Sequence, residues 1–131
     1  NPESRLGPQP DPTPRTHNSM WLQSPGSEIL SDPRRWWTLR AYVDEVLDRY
    51  GQDPRVQCWD VFNEPNGPEV NYIARGTAQK YRLATALLDQ VFDWCQEADP
   101  SQPLTAGLFV GVSGSVERGD PINRVMLSRS A

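Results

Sequence analysis

Two short apolar runs, separated by a one-sided helical pattern, constrain this chain more than any other feature. The first is "VQCWDVF" at residues 56–62 and the second is "PLTAGLFVGV" at residues 103–112. Neither alternates strictly between apolar and polar side chains, and only Gln57 and Asp60 interrupt the first. A strand that reads as a nearly continuous apolar run is expected to be covered on both faces, as in a parallel sheet. Between the runs, over residues 77–99, Tyr81, Ala84, Leu88, Val91, Cys95 and Ala98 recur at steps of three and four, which places them on one face of a helix. Strand, helix and strand in that order imply parallel strands joined by a right-handed crossover.

A second helical pattern precedes the first run. Asp32-Pro33 has the chemistry of a helix start, with an N-cap carboxylate followed by a proline at the first helical position. Trp36, Leu39, Val43, Val46 and Tyr50 then follow the same three-and-four spacing, and Gly51 supplies the stop, which predicts a helix over residues 34–51. Trp36, Trp37 and Trp94 lie on helices and are expected to pack, whereas Trp59 lies inside the first strand. Residues 1–33 carry Pro8, Pro10, Pro12, Pro14 and Pro25, a spacing that permits neither a long helix nor a central strand. That long loop also holds His17, Asn18, Trp21 and Gln23, and long loops in compact domains are commonly functional. A further short helix is expected at residues 121–129. Two strands cannot form a closed or fully flanked sheet, so the chain is expected to be a piece of a larger α/β domain that begins in mid-loop and stops in mid-element.

Composition narrows the functional classes. At 131 residues with 37% hydrophobic side chains, the chain is long enough for one core and short for two. Its net charge is −4 and its 13 basic residues are scattered, so it lacks the basic stripe that a nucleic-acid backbone requires. No segment approaches the roughly 20 apolar residues of a membrane span. Neither terminus reads as a leader, so any signal peptide is expected to lie outside this sequence. The two cysteines, Cys58 and Cys95, lack metal-site spacing and are too few for a disulfide framework, and both are expected to be buried thiols.

The first apolar run ends in Asn63-Glu64-Pro65. In parallel α/β folds, ligands gather at the C-terminal ends of strands, where the following loops converge. Hydrolysis of a glycosidic bond needs a carboxylic acid to protonate the leaving oxygen and a second carboxylate to attack carbon or activate water. Glu64 stands where such an acid would be useful. The competing reading is that Glu64 is only the first polar residue of a loop, with Pro65 ending the strand and Asn66-Gly67 forming a turn. Asp60 is a polar residue within an apolar strand, and it is expected to join a structural network with Arg55 or another basic group.

The segment "RVQCWDVFNEPNG" resembles the fourth strand of clan A glycoside hydrolases, the (β/α)8 barrels that include glycoside hydrolase family 5. Upstream, "GPQPDPTPRTHNSMWLQSPG" resembles the long loop after strand three in bacterial cellulase-like or 1,4-beta-xylanase-like proteins. The resemblance implies an α/β fold that is part of a (β/α)8 TIM barrel, running from the loop after strand three through strand five and into the start of helix five. It implies that Glu64 is the general acid/base and that Asn63 contacts the sugar 2-hydroxyl. With the loop so placed, His17, Asn18 and Trp21 become candidates to line the substrate cleft, Trp21 by stacking on a sugar face. Their structural alternatives are a histidine bonded to backbone and a tryptophan that anchors the loop.

The implied substrate is a β-linked polysaccharide or oligosaccharide, cleaved with retention and without metal or organic cofactor. A polymeric substrate suggests a secreted or periplasmic enzyme. The family's nucleophile is a Glu at the end of strand seven. Glu69 and Glu117 lack that residue's flanking pattern, so the 131 residues alone are expected to be inactive. Two other readings remain open from the residues, a carbohydrate-binding barrel without catalysis and an α/β-barrel enzyme acting on a non-sugar substrate.

Overall fold

A computed structural model describes residues 7–8, 11–16, 19, 24–67, 77–109 and 121–129. The elements are α1 (Ser27–Leu30), a 3-10 turn (Pro33–Arg35), α2 (Trp37–Tyr50), β1 (Trp59–Asp60), α3 (Thr77–Glu97), β2 (Leu104–Thr105) and α4 (Pro121–Arg129). The four-residue helix α1 lies within the stretch expected to be all loop. Of the proline-rich stretch before it, His17, Asn18 and Trp21 fall outside the described residues, as do Glu69 and Glu117.

Asp32 caps the 3-10 turn, its Oδ1 accepting from the Arg34 backbone N–H at 3.2 Å, with Pro33 at the first position. The missing proline N–H costs nothing there, because the first helical donors have no intrahelical acceptor. Regular α-helix begins at Trp37. The Trp36 indole N–H donates to the Ile29 carbonyl at 3.1 Å and so ties α1 to the start of α2. At the other end, Gly51 is right-handed, with φ −63 and ψ −14, so its glycine is not a left-handed helix stop. The requirement is space, since a Cβ at Gly51 would lie 2.5 Å from the Leu47 carbonyl oxygen and 3.5 Å from Pro100 Cβ.

Helix α3 is the centre of the molecule. Ala84, Leu87, Leu88, Val91, Phe92, Trp94 and Cys95 are all buried, at the i, i+3, i+4 spacing of one wide apolar face. Full burial of each large side chain among them removes enough apolar surface from water to contribute roughly 1.5–3 kcal/mol. Helices α1, α2 and α4 all pack against α3. Leu30, Trp36, Leu47, Leu104, Ala106 and Ile122 complete the core from α1, the start of α2 and α2 itself, the β2 segment and α4. At the rim, Arg40 bridges Asp44 at 3.3 Å and Glu97 at 2.6 Å, and Arg129 bridges Asp89 at 3.0 Å and Asp93 at 2.7 Å. Exposed pairs of this kind contribute little each.

β1 and β2 pair in parallel with Trp59 opposite Leu104 and Asp60 opposite Thr105, and α3 lies between them in the chain. The regular pairing is shorter than the apolar runs at 56–62 and 103–112, of which residues 110–112 lie outside the described residues. One face of β1 meets the core through Trp59 and Val61, with Phe62 also packed on it, while Cys58 and Asp60 are exposed. Among the described residues, the expected cover on both faces is therefore absent.

Several expectations for single side chains change. Cys58 is exposed rather than buried, because it precedes the paired segment and does not face α3. Cys95 is buried on α3, and desolvation, with a smaller contribution from the Asp44 charge, pushes its thiol up to about 11. Trp37 is 69% exposed, since it lies one residue beyond Trp36, which takes the core-facing position. Ala98 is exposed past the end of α3, and Tyr50 is 38% exposed beneath the Arg49 guanidinium. Among the described residues no helix is long and apolar enough to cross a membrane.

Candidate active site

The candidate site is built where β1 runs out. Trp59 N–H donates to the Pro103 carbonyl at 3.0 Å and Val61 N–H to Thr105 at 2.8 Å, a step of two residues on each strand. A regular parallel ladder would next pair the amide of residue 63 with Gly107. Instead Glu64 N–H donates to the Gly107 carbonyl at 2.6 Å, three residues on against two. The extra residue is a bulge, a device that bends a strand end and re-aims the side chain after it. Glu64 absorbs the distortion with φ +50, an uncommon conformation for a residue with a side chain.

Residues 64–67 form a turn closed by the Gly67 N–H on the Glu64 carbonyl at 2.8 Å, with Pro65 at the position whose φ proline already satisfies. Pro65 and Gly67 are buried, and Glu64 is half-buried. A Cβ at Gly67 would lie 3.1 Å from the Glu64 carbonyl oxygen and 3.9 Å from Glu64 Oε2, so the carboxylate lies alongside the glycine. Among the described residues, no group of three His, Cys, Asp or Glu side chains is arranged to hold a metal ion.

Three further side chains fix this turn. The Asn66 amide accepts from the Phe109 N–H at 2.7 Å and donates to the Phe109 carbonyl at 3.1 Å, so it pairs with the backbone after β2 as a strand residue would. From α3, Lys80 sends its ammonium to the Pro65 carbonyl at 2.5 Å and the Gly67 carbonyl at 2.6 Å. Asp60 accepts the Gly107 N–H at 3.1 Å. It does not pair with Arg55, whose guanidinium is taken by Asp53 at 2.6 Å, an interaction that holds the Asp53 carboxyl down at about 2.

Asn63 is exposed, with its Oδ1 3.1 Å from where a Gly107 Cβ would stand. Asp60 Oδ2 is 3.0 Å from the same point. The absence of a side chain at Gly107 thus lets two polar groups from β1 and its end converge just beyond β2. Of the residues singled out from sequence, the structure brings Asn63 and Glu64 to one strand end. Comparisons with protein-family models, with curated proteins and with solved structures find no match to this chain.

Sequence reasoning passed over Asn66 and Lys80. Asn66 read as turn punctuation, and nothing in the sequence distinguishes an amide that clasps a neighbouring strand from one that faces water. Lys80 did leave a signal. It lies four residues before Ala84, in register with Ala84, Leu88, Val91 and Cys95, so the apolar stripe of α3 begins on a lysine.

Proposed function

We propose that the chain is a segment of a (β/α)8-barrel glycoside hydrolase that cleaves β-linked polysaccharide or oligosaccharide with retention. On this reading the 131 residues run from the loop after strand three into the start of helix five. The observation that carries the reading is the sequence Asn-Glu-Pro at the C-terminal end of the first strand of a parallel strand-helix-strand unit, where a bulge and a four-residue turn hold Glu64. A loop that merely ended a strand would need neither the bulge nor the left-handed residue.

Glu64 then acts twice. Its carboxyl O–H bond breaks as the proton passes to the glycosidic oxygen, and the electrons of the departing C–O bond go to that oxygen. A second carboxylate, on another strand of the barrel, forms the glycosyl-enzyme bond from the opposite side. Retention requires the two carboxyl groups about 5–5.5 Å apart. In the second half, Glu64 takes a proton from the water that displaces the nucleophile. Asn63 binds the 2-hydroxyl beside the reacting carbon, and no metal or organic cofactor enters the scheme.

The test is Glu64→Gln in the complete protein, assayed on aryl β-glycosides of graded leaving-group ability. Loss of a general acid should lower kcat/KM by about 100-fold or more on poor leaving groups and far less on activated ones. The basic limb of the pH profile should disappear with it. Unchanged turnover on unactivated substrates would remove Glu64 from the chemistry.

A further inference from the structure

Helix α3 carries a lysine where its core-facing stripe would ordinarily carry an apolar side chain. Lys80 is 8% exposed, and its ammonium donates to the carbonyls of Pro65 and Gly67 at 2.5 and 2.6 Å. A buried ammonium is costly to keep unless its hydrogen bonds are made, so its position carries information. Both of these acceptors lie in the turn that follows Glu64. A lysine that served only to solubilise the helix would extend to water.

We propose that Lys80 is a positioning residue for the proton transfers of Glu64. The proposal rests on the reading of Glu64 as acid/base and adds a second residue to it. The direction of the Glu64 side chain is set by a backbone φ of +50, which relaxes toward negative values unless its surroundings hold it. What holds it on the C-terminal side is the turn whose Gly67 N–H closes on the Glu64 carbonyl, and Lys80 grips that turn at two of its carbonyls. Release of the grip lets the residue 64 backbone relax and swings its Cα–Cβ bond away from the strand end. Displacement of a reacting group by about 1 Å is enough to cost on the order of 100-fold in rate. The lysine touches neither the sugar nor the transferred proton and acts only through Glu64.

The experiment compares Lys80→Met, Lys80→Arg and Glu64→Gln in the complete enzyme, on aryl β-cellobiosides or β-xylobiosides, whichever wild type cleaves. The readout is how steeply kcat/KM depends on the leaving group, from dinitrophenyl to unsubstituted phenyl. Lys80→Met should lower kcat/KM about tenfold or more on the phenyl glycoside and within about twofold on the dinitrophenyl glycoside, since only the former needs the acid. Lys80→Arg, which keeps donors on the turn, should recover most of that difference. A merely structural lysine would lower both substrates equally through the folded fraction. If Glu64→Gln steepens the dependence and folded Lys80→Met does not, the positioning role is overturned while the acid/base reading stands. If Glu64→Gln leaves the dependence flat, both fall. Should Lys80→Met fail to fold, Lys80→Gln, which retains one amide donor, is judged by the same slope.

Discussion

The backbone of Glu64 makes a prediction independent of any substrate. At φ +50, every residue with a Cβ is held in a conformation that costs about 1–2 kcal/mol relative to the right-handed region. Glycine escapes that cost but loses about 0.5–1 kcal/mol more chain entropy on folding than alanine does. Compared at this one position, Glu64→Gly should therefore be more stable than Glu64→Ala by roughly 0.5–1 kcal/mol. Both variants lack the carboxylate, so the side chain's own interactions cancel and the difference isolates the backbone. With a urea m-value of about 1–3 kcal/mol per molar, the glycine variant should unfold at a midpoint about 0.2–1 M higher. The internal control is Glu45, exposed in the middle of α2, where glycine in place of alanine should cost about 1 kcal/mol. The two sites should thus show opposite signs. An alanine variant at position 64 as stable as the glycine variant, or more so, would refute the left-handed backbone and with it the account of how the bulge aims Glu64.

Two other outcomes follow from neighbouring geometry. Gly107→Ala would set a Cβ 3.0 Å from Asp60 Oδ2 and 3.1 Å from Asn63 Oδ1, and both side chains are exposed and free to swing aside. Loss of the Asp60 hydrogen bond should cost about 0.5–1.5 kcal/mol in a melt, and on the proposed role of Asn63 its displacement should lower kcat/KM about tenfold even at temperatures where the variant is fully folded. The Asp53 carboxyl, held by hydrogen bonds from Arg55, sits at about 2 in the folded chain against an ordinary 3.8. A depressed folded value means that its contribution is present above about pH 4 and is lost as pH falls through about 2, because the unfolded chain then binds the extra proton. Asp53→Asn should flatten the stability–pH curve in that acid window alone, as read by denaturation at fixed pH.

Periodic burial was the legible part of this fold. Steps of three and four along α3 place Ala84, Leu88, Val91 and Cys95 in the core because a helix must hide one face, and the sequence states which. The same rule is weaker at its edges. Tyr50 and Ala98 continue the pattern in sequence and yet lie exposed, since each stands at or just past the end of its helix. The strands were less legible, because a run of apolar residues does not say where pairing stops. Pairing stops where the bulge inserts Asn63, and an inserted residue leaves no mark in hydrophobicity. Glu64 stood out as a carboxylate at a predicted strand end, and the roles of Glu64 and Asn63 came from their resemblance to a known motif. The clasp of Asn66 and the grip of Lys80 depend on long-range partners at Phe109 and in the turn, which local sequence does not encode.

The costs in this structure are not spread evenly. A left-handed Glu64, a buried lysine on α3 and a glycine at 107 that gives up backbone entropy converge on the end of one strand. Two of the three have a substitute that would remove the cost: a glycine at 64 relieves the backbone, and a methionine at 80 removes a buried charge. A loop under no demand beyond joining β1 to α3 would need none of the three. Their convergence around one carboxylate is what a site that needs a fixed acid would require, because strain persists only where the surroundings hold it. Substitutions separate the two readings of Glu64. If folded Glu64→Gly leaves turnover intact, the strand end is only a loop. If Lys80→Met and Gly107→Ala, which keep the Glu64 carboxylate, preserve stability while turnover is lost, the strain serves the acid.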